Sequence, residues 1–342
     1  MCARRKAIAV LIALASACLA ATGASRAEEI TLYSTREAAL VAPVVAAFTE
    51  TSGIKVNIVF VADSLVKRLA SEGEASPADI LLTIGLDKTT QLATGGRTQA
   101  FTSPRLEQAV PANLRGGSSQ WIALAIRPRV VMARNDSVIT AIDYEDLVDL
   151  KWRGKLCMRS LLHQNNIALV AAYLAHHGDA ATEAWLAGLK ANLAHKPRGK
   201  DNDVIREIAQ GACEIGIGNT VALAQLRDGR EGADWRAWAM AVKAVPTAFK
   251  GDGTHVNLTG AAIARHAPHP VLARQFLEFL LTPAAQKIFA AAELEYPVLA
   301  TADRTPIVAE MGSFTVDALP IDEIGRNQQA AIALIKKAGF DE

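Results

Sequence analysis

Tyrosine is rare in this chain: four in 342 residues, within an aromatic share of 5%. Tyr33, Tyr144, Tyr173 and Tyr296 are scattered, so no pair of adjacent phenols is available to build a site. An excess of one charge is also missing, since 36 Lys and Arg stand against 35 Asp and Glu. Without a basic cluster, a nucleic-acid-binding surface is excluded. Beyond the first 21 residues no run approaches the ~20 apolar residues of a membrane span. There is no G-x-S-x-G elbow, H-E-x-x-H pair, Gly-rich phosphate loop or C-x-x-C, and nothing sets a nucleophile beside a base. The sequence therefore reads as a binding protein and not as an enzyme. What is present is 51% apolar and 21% charged, a globular composition with ample core. The length is about twice that of one domain, which predicts two lobes.

Arg4, Arg5 and Lys6 precede an apolar run from Ala7 to Ala21, and Ser25-Arg26-Ala27 offers a cleavage site. This order predicts a signal peptide over 1–27 and a periplasmic mature chain. Ala15-Ser16-Ala17-Cys18 is close to a lipoprotein acceptor, but Leu14 lies one position too early, which disfavours anchoring. Cleavage removes four cations and no acid, leaving 32 cations against 35 acids and a net charge of −3. Cys157 and Cys213 remain, and in an oxidising compartment they are expected to form a disulfide. A two-thiolate metal site is the alternative, one that needs reduced sulfur and further ligands.

The mature chain opens strand, helix, strand, helix, strand. Ile30–Tyr33 is β-like, Ser34 to Phe48 helical, Ile54–Phe60 alternating, Ser64–Ser71 helical, and Ala78–Thr83 a buried strand. That alternation predicts a parallel α/β sheet. Leu124–Met132 is strand-like, and Pro128 within it suits an edge or a crossover. A second α/β unit follows: strands near 154–158 and 214–218, helices at 168–176, 180–192 and 204–210, then a strand over 256–263 and helices at 271–281, 284–291 and 322–338. Ligands of open α/β sheets sit beyond the carboxyl ends of the strands. The turns to inspect are therefore 34–37, 83–86, 127–129, 160–165 and 219–222.

Several blocks, in order, resemble the ferric-iron subgroup of bacterial periplasmic solute-binding proteins, the capture subunits of ABC importers. They include Leu32-Tyr33-Ser34, Thr51-Ser52-Gly53-Ile54-Lys55-Val56, Ser76-Pro77-Ala78-Asp79, Lys151-Trp152-Arg153-Gly154-Lys155, Gly253-Thr254-His255-Val256-Asn257 and Glu295-Tyr296-Pro297. The resemblance implies a two-lobe type II fold hinged on crossing strands. Its lobes would be 28–128 with 255–303, and 129–254 with 304–342. It implies iron(III) or an iron chelate as cargo, an ABC permease as partner, and a monomer. Alternatives are a binding protein for a small organic or phosphorylated anion, or an exported sensor.

The family's ligand positions are altered here. Val221 and Ala222 stand where the resemblance expects a tyrosine pair, Glu37 where it expects a histidine, Ile84 a carboxylate, and Asn165 a further tyrosine. What remains suggests an anion-binding cleft. Ser34, Thr35, Arg36 and Glu37 form one turn, in which Ser34-x-x-Glu37 also fits a capping box. Arg36 reads either as a cleft residue or as a solvated helix residue. Arg127 matches a family arginine near the crossover, while Ser160, Asn219 and Thr220 match anion-binding positions. Glu37 and His163 are the weak metal-ligand candidates, and His176-His177 before Gly178 reads as a helix C-cap.

Overall fold

A computed structural model describes residues 28–62 and 64–341. The predicted signal segment, 1–27, lies outside the described residues. Three parallel strands open the fold: Glu29–Ser34, Lys55–Phe60 and Ile80–Ile84. They lie in the order 55–60, 29–34, 80–84. Between them run the helices Ala38–Ser52 and Leu65–Glu72, the βαβ alternation that the sequence predicts. Strand Val256–Ala264 then pairs antiparallel with Ile80–Ile84, and every one of its residues is buried. A strand covered on both faces carries a continuous apolar run, as this one largely does.

The long strand Ile122–Arg134 joins the two halves. Residues up to Pro128 pair with Val256–Ala264, whereas Arg129–Ala133 pair with strand Ile215–Asn219. Pro128 has no N–H to give to a ladder, so it suits the point where the strand exchanges partners. Beyond it, Leu156–Cys157 pairs parallel with Ile215–Asn219, and Val242–Val245 pairs with the far end of the long strand. Cys157 and Cys213 are disulfide-bonded, with Cα atoms 5.8 Å apart, as expected from the sequence.

Two predicted helices follow one another directly and are divided by a kink. Gln164–Asn192 runs through Gly178, whose φ of 76° and ψ of 175° kink it. That conformation is open in practice only to glycine. His176 and His177 thus lie in the last turn before this break, as the sequence predicts, and both meet carboxylates. His176 lies between Asp317 (Nε2–Oδ2 2.8 Å) and Asp252 (Nδ1–Oδ2 3.6 Å), and His177 meets Glu145 at 2.8 Å. The last helix, Ile321–Lys337, packs along Gln164–Asn192 and also touches Leu86–Thr94. Asp322 accepts from Trp121 Nε1 and from the Gly117 amide, tying this helix to the first half. Among the described residues no helix is long and apolar enough to cross a membrane.

Candidate functional site

The two crossing strands carry a polar row. Thr259 and Asn257 lie on one strand, Arg127 and Arg129 on the other, with Asn257 opposite Arg127. The backbone N–H of Arg129 donates to His255 O. Glu295, next to the short strand Tyr296–Pro297 that pairs with Ile126 and Ala125, joins this row.

Glu295 is the first hub. Its Oε2 accepts from Arg36 Nη2 at 2.5 Å, and its Oε1 from Arg127 Nε at 2.5 Å and Thr259 Oγ1 at 2.7 Å. Burial alone would raise this carboxyl, but Arg127 and Arg36 outweigh it and hold its pKa at about 2. Arg36 is 1% exposed, and its guanidinium lies 4.6 Å from the Phe289 ring centroid. The solvated reading of Arg36 is thus corrected: Glu295 holds its Nη2, while its Nε and Nη1 are buried without a partner. Arg127 is less completely covered. Its side chain keeps 14% exposure, and its buried Nη2 has no partner.

Asp201 is the second hub. It takes Arg129 Nη1 at 3.0 Å and Nη2 at 3.4 Å, the Asn219 amide at 3.0 Å, and Arg159 at 3.6 Å. Here too burial pushes the carboxyl up, while Arg129 pulls it below the usual range. Arg129 also donates to Asn166 Oδ1 and Asn219 Oδ1, so every arm of this fully buried guanidinium is bonded. Arg159 is not saturated: its Nε is buried without a partner, and burial lowers its pKa. Thr220 Oγ1, at the start of helix Thr220–Arg227, is likewise buried and unpartnered.

The remaining candidates divide between framework and cleft. Ser34 Oγ bonds the backbone of Arg36, and Thr35 Oγ1 accepts the Ile84 amide, so both fix the turn. The expected capping box is absent. Helix Ala38–Ser52 begins four residues later than predicted, Glu37 sits at its N-cap with no side-chain bond, and the Glu37 side chain is exposed. Ser34 cannot serve as the cap because it ends the first strand and its hydroxyl is spent on Arg36. Asn165 Oδ1 accepts from Asn257 Nδ2 at 2.8 Å, a contact from the second half to the crossing strand. His163 caps the long helix through Nδ1, which accepts the Asn165 amide at 3.2 Å. Burial and the nearby Arg159 lower its pKa to about 4, so it is neutral at pH 7.

Ser160 is already engaged. Its hydroxyl donates to Asp341 at 2.9 Å, and the Leu161 and Leu162 amides point at the same carboxylate. An anion on this turn has to displace Asp341.

Sequence reasoning missed Asp87, Arg159, Asp201 and Glu295. Asp87 stands in the first turn of helix Leu86–Thr94, with a buried Oδ1 that has no partner, and burial raises its pKa. Gly85 before it has φ 109°, and a Cβ there would collide with the Asp87 carboxylate, so the glycine makes room for it. The dipeptide Gly85-Leu86 and the acid behind it were the available signal. None of the four tyrosines adjoins another, and burial raises the pKa of each, that of Tyr173 to about 12.

Residues 30–292 match the bacterial extracellular solute-binding protein family. The chain belongs to that family. This solute-binding protein is 34% identical over 316 residues to Iron uptake protein A1 of Synechocystis sp., spanning 92% of this chain and 88% of that one. To the Fe(3+)-binding periplasmic protein of Serratia marcescens it is 26% identical over 336 residues, 96% of each chain. Among solved structures, a Bordetella ferric binding protein is 46% identical with a TM-score of 0.90, covering 92% of this chain and 100% of that one. A Trichodesmium protein in complex with iron and citrate ligands is 34% identical with a TM-score of 0.87, over 91% and 99% of the two chains. The solute-binding protein accordingly has the two-lobe type II fold, and the crossing strands are the connection between its lobes.

Proposed function

We propose that this chain is the capture subunit of an ABC importer and that it takes iron(III) as an anionic chelate. It would act in the periplasm after loss of residues 1–27, as a monomer that hands its cargo to a membrane permease. The lobes in this reading are 28–128 with 255–303, and 129–254 with 304–342, closing over Arg127, Arg159, Asn165, Asn219 and Thr220. One observation carries the proposal: two arginines share each buried carboxylate, and Arg127 Nη2, Arg159 Nε and Thr220 Oγ1 stay buried without a partner. Buried donors of this kind are costly unless something binds them. A guanidinium fork matches carboxylate or phosphate oxygens. It repels a bare trivalent cation, for which charged oxygen donors are needed. Asp87 offers one such donor, and an anionic chelate would bring the others with it. The iron and citrate ligands of the Trichodesmium relative support the same chemistry.

The test loads the mature protein with ferric citrate, dialyses it, and assays iron by mass spectrometry beside an absorbance scan. Near-stoichiometric iron without a phenolate-to-iron band is expected, and Arg127→Ala should weaken retention at least tenfold. A strong phenolate band would overturn the chelate reading. Failure to retain any iron would overturn the iron reading. It would favour the alternative that the unpaired guanidinium atoms equally support, a small carboxylate or phosphorylated anion, to be sought by a thermal-shift screen.

A further inference from the structure

We propose that the Cys157–Cys213 disulfide closes a divalent-metal site, formed with His195 and Glu207, that is competent to bind when the disulfide is open. Cys157 Sγ lies 3.5 Å from His195 Nε2, and that nitrogen lies 3.1 Å from Glu207 Oε2. The three ligand atoms fall within 4.8 Å of one another. A tetrahedral ion with metal–sulfur bonds of ~2.3 Å and metal–nitrogen or –oxygen bonds of ~2.0 Å sets its ligands roughly 3.3–3.6 Å apart. The Cys157–His195 and His195–Glu207 separations are close to that geometry, and the third lies within 4.8 Å.

Each ligand is also aimed from behind. His195 Nδ1 lies 2.9 Å from the Lys196 carbonyl, which can only accept, so Nδ1 carries a hydrogen and Nε2 is the nitrogen turned towards Cys157 and Glu207. Glu207 Oε1 is held by Arg198 Nε at 2.8 Å, which leaves Oε2 for the ion. A nitrogen that faces a carboxylate oxygen and a sulfur is held for a shared cation, a metal ion or a proton. Cys213, bonded to Cys157 in the closed form, lies outside this cluster and would become the fourth ligand by turning its sulfur towards it once the bond opens. Cys157, Cys213 and Glu207 are buried and His195 is partly exposed, which leaves a way in from solvent. The cluster lies on edge strand Leu156–Cys157 and just before strand Ile215–Asn219, opposite the end at which Asn219 meets Arg129. It is thus independent of the cleft.

Opening needs a thiol or phosphine reductant. With a dithiol, two electrons and two protons pass to the sulfur–sulfur bond, giving two thiols while the reductant becomes its own disulfide. A divalent ion then displaces both thiol protons. Two thiolates, an imidazole and a carboxylate favour a soft-to-borderline ion such as Zn²⁺ or Fe²⁺.

The experiment titrates Co²⁺ alone into the purified mature protein under anaerobic conditions, oxidised or reduced with a phosphine, with circular dichroism monitoring the fold. One Co²⁺ per reduced chain is expected, with a thiolate-to-cobalt charge-transfer band and tetrahedral d–d bands. The oxidised protein should lack the thiolate band. Cys213→Ser frees Cys157 without any reductant and should keep a weaker thiolate band. His195→Ala and Glu207→Gln should each lower the affinity of the reduced protein at least tenfold, whereas Arg127→Ala should leave it unchanged. The proposal is overturned if folded reduced protein and folded Cys213→Ser both lack the band, or if His195→Ala binds as well as the native chain. The contact is then an imidazolium–carboxylate pair alone. Loss of fold on opening the disulfide overturns it equally.

Discussion

Glu295 neutralises Arg36 and Arg127 together, and Arg36 has no route to water. Removing one partner of a buried pair leaves an uncompensated charge, which costs more than the pair contributes. Glu295→Gln should therefore destabilise the protein by about 3–5 kcal/mol in urea denaturation, although the shape of the side chain is kept. The pH dependence follows from the same contacts. The folded-state pKa of Glu295 is about 2, below the ordinary 4.5, so its contribution is complete above pH 4.5 and fades as the pH falls towards 2. Native protein should lose stability across that window, and the Gln variant should lose less of it. An equal acid slope in both proteins would show that Glu295 is not the titrating group.

Elements whose pattern is local were legible in the sequence, and those fixed by distant partners were not. The apolar alternation of Lys55–Phe60 and the buried run of Ile80–Ile84 need no knowledge of the rest of the chain. The first turn of Gln164–Asn192 does need it: Gln164-Asn165-Asn166 looks like a polar loop, yet it is helical. His163 caps it, while Asn165 and Asn166 bond Asn257 and Arg129 across the fold. Helix Ala233–Met240 was missed because only Ala239 of its eight residues is buried, which leaves no apolar stripe to read. The candidate site was half legible. Arg127, Asn165, Asn219 and Thr220 were picked out by position, but the Arg36–Glu295 pair spans 259 residues and has no local signature. Gly178, read as the end of a helix, is the break between two helical stretches. Nothing lies within 4 Å of a Cβ placed there, so Gly178→Ala would cost backbone strain and not a clash. A loss of about 1–3 kcal/mol is expected from that conformation, visible as a lower Tm. An unchanged Tm would mean that the kink straightens freely.

At the scale of the molecule, the strand order 55–60, 29–34, 80–84, 256–264, 122–134 places a late segment at the centre of an early sheet. Ile80–Ile84 and Ile122–Ala125 have no partner in common until Val256–Ala264 comes between them. A fragment ending near residue 200 should therefore stay unfolded, with flat thermal transitions and rapid amide exchange, even though it contains every element of the opening βαβ unit. Cooperative melting of that fragment would count against the central role of the late strand.

That ordering bears on the proposed passage of the chain into the periplasm. Export through a narrow conduit requires a polypeptide that has not yet collapsed into its native form, and long-range pairing is slow to form. A protein whose central strand is made three-quarters of the way through synthesis withholds its own cooperative core until then. The delay is written into the connectivity: the nascent chain remains threadable until its central strand is made.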